Sequence, residues 1–211
     1  MKSELLPTRF HGINEDVYAG FWIRVAAKLV DFIILLPVMG LVFYVNSISK
    51  SASLTIMIPN LLFGLAFEVI LVKLYGGTPG KLIMGLKIIQ KNGDNIDWKA
   101  SFYRNSVEFM LAVTGVYILF LTLNLIDDST YASLGFMKRN QLMATINPVP
   151  MKIQNWINFV WFFIGAIVLI SNSRKRTTHD FIAGTVVIKS IYLNQIREIM
   201  NSTESVESTV E

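Results

Sequence analysis

Apolar residues run along this chain in four long blocks separated by shorter polar stretches. A helix needs about 20 mostly apolar residues to cross a hydrocarbon core of ~30 Å. Four segments meet that length: roughly Phe21–Val45, Leu54–Leu74, Phe102–Ile126 and Ile153–Ser171. Between the second and third blocks the period shortens. Thr78-Pro79 reads as the N-cap and first residue of a short helix; Gly85 ends it, and Leu86–Gln90 reads as a strand before the Asn92-Gly93 turn. After the fourth block, Thr177 and Asp180 have capping-box spacing with Asp for the usual Glu or Gln, and the β-branched run Thr185–Lys189 reads as a second strand. The pattern predicts an all-α integral membrane protein. Its core is a four-transmembrane-helix bundle, and two short cytoplasmic helix–strand returns pair their strands as a small sheet.

The expected organisation is an N-terminal arm over residues 1–17, a membrane domain over 18–190, and a tail over 191–211 that is disordered toward its acidic end. Met1–Val17 carries Glu4, Glu15 and Asp16 where a signal peptide needs a basic region, so the first span is expected to be retained. Asp127–Met151 reads as a polar loop closed by Asn147-Pro148-Val149-Pro150, since proline does not continue a helix. Thr78 to Gly85 and Thr177 to Gly184 span the same seven-residue interval, and each return follows a helical pair opened by an aromatic and an arginine, Trp22/Arg24 and Phe102/Arg104. This suggests a weak internal duplication in parallel orientation, an arrangement found in transporters.

Basic residues flanking the spans orient them. Twelve lysines and arginines lie in the arm, the loop after the second span and the tail, against four on the other side, leaving aside Arg24, Lys28 and Arg104 within spans. Both termini are therefore expected in the cytoplasm, with Trp22 and Trp98 at the inner interface and Trp156 at the outer one.

Composition narrows the chemistry. Of 211 residues 53% are hydrophobic and 16% charged, against about 25% charged in a typical soluble domain, and the mean hydropathy is +0.49. The chain has no cysteine and two histidines, so disulfides, thiolate metal sites and His-rich metal sites are excluded. The net charge of +4 is spread between apolar runs rather than gathered into a nucleic-acid-binding face. Gly76-Gly77-Thr78-Pro79-Gly80-Lys81 has the wrong spacing for a phosphate-binding loop, follows a transmembrane helix instead of a strand, and has Leu82 where magnesium needs Ser or Thr. No cofactor, resident metal or enzymatic nucleophile–base pair is expected.

Charges inside spans cost about 2.5–3.5 kcal/mol each on insertion scales, so their placement is the main clue. Arg24, Lys28 and Asp31 share one face of the first helix, Glu68 lies near the cytoplasmic end of the second, and Arg104 and Glu108 open the third at i, i+4. Three cations and three anions should converge on the inner leaflet, with Asp31 expected to answer Arg24. One reading makes this a cation or proton site with Asp31 or Glu68 as titrating carboxylate. The plainer one makes the pairs architectural, with Arg24 and Lys28 snorkelling to the headgroups. For Asp180 the plainer reading is a helix cap, and for His179 a packing or hydrogen-bonding residue, although an unperturbed histidine could switch near neutral pH.

Arg24-Val-Ala-Ala-Lys-Leu-Val-Asp31, Gly77-Thr-Pro-Gly-Lys81 with Gly85-Leu-Lys87, and Arg176-Thr-Thr-His-Asp180 with Ala183-Gly-Thr185 resemble the motifs of the RDD family of prokaryotic membrane proteins. The resemblance spans about Tyr18 to Lys189. The family is named for one arginine and two aspartates. The resemblance therefore nominates Arg24, Asp31 and Asp180, and it implies a membrane protein of no assigned activity for which transport is a reasonable suspicion.

The expected function is a small cation or proton transporter built on Arg24, Lys28, Asp31, Glu68, Arg104 and Glu108, with His179 and Asp180 below them. Expected partners are the bilayer, anionic headgroups at clusters such as Arg174–Arg176, monovalent cations or protons, and a second copy in a homodimer that helps enclose a pathway. The rival is a non-transporting accessory or scaffold protein that binds a membrane partner.

Overall fold

The computed structural model describes residues 6–200 except His11 and Asn14; the acidic end of the tail expected to be disordered lies outside the described residues. The elements run α1 (Phe21–Ile48), α2 (Lys50–Tyr75), α3 (Pro79–Ile83), β1 (Leu86–Gln90), α4 (Trp98–Asn124), α5 (Asp128–Ser133), α6 (Phe136–Ile146), α7 (Pro148–Ser171), α8 (Thr178–Ala183) and β2 (Thr185–Lys189). The protein is thus mostly helical with one small sheet. Four stretches are long and apolar enough to cross a membrane: Phe21–Ile48, Lys50–Ile83, Trp98–Asn124 and Pro148–Ser171.

The chain forms two compact units. The first holds residues up to Ile33, Phe67–Asn105 and Ile164 onward; the second holds Ile34–Ala66 and Ser106–Phe163. At the centre of the first, β1 and β2 pair antiparallel with Ile88 opposite Val187. One sheet face, through Leu86, Ile88 and Val187, packs on Ala19, Ala27, Val72, Ile96 and Ala100. The other, through Ile89, Val186 and Ile188, packs on Leu6, Phe10, Val17 and Tyr18 of the arm and on Leu193 and Ile196. Residues 193–200 are helical. Burial on both faces explains why the strands read as continuous apolar runs rather than alternating ones.

The expected duplication is visible in the returns. A shift of 99 residues carries Thr78 to Thr177, Gly85 to Gly184 and β1 onto β2. The same shift relates Ile88 to its own ladder partner Val187. It also relates two flanking bonds, Ser190 N–H to the Gly85 carbonyl at 2.7 Å and Lys91 N–H to the Gly184 carbonyl at 2.9 Å. A local two-fold axis therefore passes through the centre of the sheet. Gly85 and Gly184 have φ of 66° and 65°, the left-handed backbone with which glycine ends a helix cheaply.

In the second unit the structure corrects one expectation. Asp127–Met151 is not a loop: it holds α5, α6 and the first turn of α7. Pro148 and Pro150 sit in that first turn, where an amide N–H has no intrahelical partner to lose. Arg139 of α6 is buried, stacks on the Tyr131 ring and donates to the Asn46 carbonyl at 2.7 Å, placing its charge at the C-terminal end of α1.

Candidate functional site: a charged network in the first unit

Asp180 is fully buried at the third position of α8. Its Oδ2 accepts the Thr177 backbone N–H and hydroxyl, each at 2.9 Å, closing a capping box. The same oxygen accepts Arg24 Nη1 at 2.9 Å, while Oδ1 pairs with Arg104 Nη1. Arg24 also donates through Nε to the Ala19 carbonyl and through Nη2 to the Lys175 carbonyl. Arg104 reaches the Thr185 hydroxyl at 2.9 Å. Burial pushes the Asp180 carboxyl up, but Arg104 and Arg24 outweigh it, with help from His179 and the Thr177 amide. The group is held well below the usual carboxylate range. Asp180 is therefore both the expected cap and the common counter-ion of two helices. Half-buried His179 is its chain neighbour.

Asp31 has a different partner from the one its spacing suggested. Seven residues separate it from Arg24, about 10 Å along the helix axis, too far for a direct pair. Arg24 turns instead to Asp180. Asp31, also buried, accepts the Thr78 hydroxyl at 2.6 Å and the Gly80 backbone N–H at 2.7 Å. A carboxylate of α1 thus caps α3 from outside. Gly80 is required by the close approach: a Cβ there would lie 2.2 Å from the Ala27 carbonyl oxygen and 2.7 Å from the Asp31 nitrogen.

The third group is more open. Lys28 Nζ lies 2.9 Å from Glu68 Oε1, and Lys81 Nζ lies 3.9 Å from Oε2. The Lys28 side chain is 61% exposed and that of Glu68 30%, whereas Lys81 is 8% exposed. Lys81 is the counterpart of Asp180 under the 99-residue shift, so the two returns carry opposite charges at equivalent places.

Glu108 belongs to the second unit, where Oε1 accepts the Trp161 indole N–H at 3.1 Å beside a cavity of about 520 Å³. The basic cluster after α7 is also placed differently from expectation. Arg176 is buried, donates to the Thr185 and Asp180 carbonyls and stacks on Phe181, so it is not displayed as a headgroup contact. Arg174 Nε is held by the Leu6 carbonyl. Among the described residues no group of three or more His, Cys, Asp or Glu side chains is placed to hold a metal ion.

The sequence reading missed Thr78, Gly80, Lys81 and Thr185 as members of the site. The glycine-proline-lysine string was the available signal, but its helix-start reading concealed the partner on α1.

Four apolar helices, a duplicated helix–strand return and buried arginine–aspartate bonds define a small membrane-type helical protein organised around its returns. The chain belongs to the RDD family, whose profile matches residues 18–184. It is 27% identical over 194 residues to a protein of Bacillus subtilis (strain 168) named Uncharacterized protein YckC; the alignment covers 90% of this chain and 95% of that one. No solved structure matches the chain.

Proposed function

We propose that the four apolar helices cross the cell membrane with both termini cytoplasmic, and that the protein moves a small monovalent cation or proton past Glu68. The excess of lysine and arginine outside the spans on the side of the termini supports that orientation. Exposed Trp22, Trp98 and Lys99 suit the headgroup layer, including anionic lipid.

One observation carries the assignment to Glu68. Asp31 and Asp180 have both carboxylate oxygens engaged by buried donors, and neither can change ligation without dismantling a helix cap. Glu68 has one close partner on a mostly exposed lysine and a second lysine standing off its other oxygen. Lys28 can leave and Lys81 can take its place, so the carboxylate changes partner without being stranded. That is the property a transporting acid needs. The chain acts without a catalytic nucleophile or cofactor in this reading.

The test is ion-driven proton flux in proteoliposomes, followed by an internal pH dye through sodium, potassium and lithium pulses. Flux in the wild type that vanishes in a well-folded Glu68→Gln variant is expected; a silent wild type, or a fully active variant, overturns the proposal. The accessory reading is favoured by the same full engagement of Asp31 and Asp180, which makes the family's arginine and aspartates a frame. A silent wild type would leave that reading standing.

A further inference from the structure

We propose that α7 is a self-association surface and that a second copy of this chain fills the cleft between α4 and α7. The proposal rests on the reading that these helices cross the membrane. The observation behind it lies within the second unit. The cavity of about 520 Å³ is lined by residues of α4 and α7 alone, among them Glu108, Gly115, Gln154, Asn155, Asn158 and Trp161. Along the whole of α7 only Gln154 and Leu169 are buried. The Gln154 amide is used internally, donating to the Leu111 carbonyl at 2.9 Å and to Asn158 Oδ1 at 3.4 Å. Asn155 and Asn158 are exposed, and the Asn155 side chain makes no hydrogen bond among the described residues.

Seven and ten residues into a 24-residue helix, these amides lie about 10–15 Å from its start: Asn155 stands beside Trp156 at the outer edge of the apolar stretch, and Asn158 lies about one turn deeper inside the span. Hydrocarbon offers the Asn158 amide N–H groups no acceptor, so something polar must. A carboxamide carries a donor and an acceptor and is complementary to itself. Two copies inserted in the same orientation and related by a two-fold axis along the membrane normal bring equivalent positions together, so Asn158 meets its own counterpart. The surrounding surface is rich in exposed aromatics, Trp156, Phe159 and Phe162, which are of a size to enter the cleft of a second copy. Glu108, an acceptor, lies at the wall they would approach.

The chain has no cysteine, so single-cysteine variants report contact directly. Phe162 lies on the same helical face as Asn155, and Ile157 on the opposite face. In liposomes at low protein-to-lipid ratio, Phe162→Cys is expected to give a disulfide-linked dimer on mild oxidation and Ile157→Cys is not. Energy transfer between labelled wild-type copies should persist on dilution with lipid. In the paired variant Asn155→Leu, Asn158→Leu it should need about tenfold higher protein density. Leucine is well tolerated in a span, and the cysteine pair tests the same surface with both amides intact. Equal cross-linking at both positions overturns the proposal, as does a wild type that stays monomeric. Rapid labelling of Asn158→Cys by a water-soluble maleimide would also overturn it, assigning the cleft to water or a polar solute. Flotation with alkali-washed liposomes reports insertion separately, and none of these readouts depends on ion flux.

Discussion

Asp31 and Gly80 are 49 residues apart, yet the carboxylate of one accepts the backbone N–H of the other at 2.7 Å. The relationship makes sense of the difference between the two returns. In α8 the third position is Asp180, which closes the cap from within. In α3 the third position is Lys81, so the first turn lacks an acid of its own, and α1 supplies one. Docking α3 that closely leaves no room for a side chain at Gly80.

Gly80→Ala should therefore lower stability by about 3 kcal/mol or more, at the upper end of overpacking costs, because the groups in the way are backbone. Gly64→Ala on α2 meets open space and should be neutral or stabilise by up to about 1 kcal/mol. Thermal unfolding in detergent distinguishes them, and equal midpoints for the two variants would refute the close docking. Asp31→Asn keeps one acceptor but presents an amide to a second donor, costing about 1–3 kcal/mol. Its effect on flux should follow the folded fraction.

Removing the charge of Asp180 leaves Arg24 and Arg104 buried without their counter-ion. Asp180→Asn should cost about 3–5 kcal/mol, and Arg104→Met should restore part of that loss in the same chain. A double-mutant cycle with purely additive losses would contradict the shared pairing. The pH dependence has a defined sign. The native carboxyl lies well below its ordinary value of 3.8, so its contribution is complete above that value and is lost only as the pH falls toward the native one. Between pH 5 and 8 it should add no slope to stability, and it carries no proton there.

The elements were legible where local chemistry decided them. Apolar length marked the four helices, Thr178–Ala183 followed from its cap, and β-branched runs marked both strands. The pairing of Asp31 was not legible, because its key partner is a backbone N–H at Gly80, and every residue but proline offers one. Arg24, Lys28 and Asp31 do share a helix, but axial distance keeps Arg24 from Asp31 and leaves it to Asp180. With both Asp31 oxygens taken by Thr78 and Gly80, Lys28 pairs with Glu68. Glu108, only one turn beyond Arg104, already belongs to the second unit and faces Trp161. The α5 and α6 helices were hidden because polar composition and prolines suggested a loop, whereas both prolines fall in a first turn.

Tyr18 offers a measurement at the other end of the pH scale. Its hydroxyl donates to the Pro7 carbonyl at 2.6 Å, and burial, partly offset by Arg174 and Arg176, pushes it from 10.0 to about 12. A raised native value means the stabilisation is complete below pH 10.0 and is lost as the pH rises through about 12. The Tyr18 phenol should ionise late in an absorbance titration, and Tyr18→Phe should remove the step near 12 and cost about 1 kcal/mol at neutral pH. If every tyrosine ionises near the ordinary value in the folded protein, the buried arm is misplaced.

Lys28 and Lys81 face the same carboxylate with unequal commitment, and their substitutions should separate structure from transport. Lys28 is mostly exposed and caps no helix, so Lys28→Gln should lower the unfolding midpoint less than Asp31→Asn does. Lys81 is buried, and Lys81→Gln removes a cation that stands near Glu68 without closing on it. If partner exchange is the working step, each variant leaves Glu68 with a single lysine and slows flux even where the fold is unchanged. The exposed residue gives the cleaner result, because its loss barely touches the packing. Lys28→Gln should fold as well as the wild type and lose most of its flux, while Lys28→Arg should recover it. Parallel unfolding and proteoliposome measurements decide the matter: wild-type flux in Lys28→Gln would mean that the pair only anchors α1 to α2.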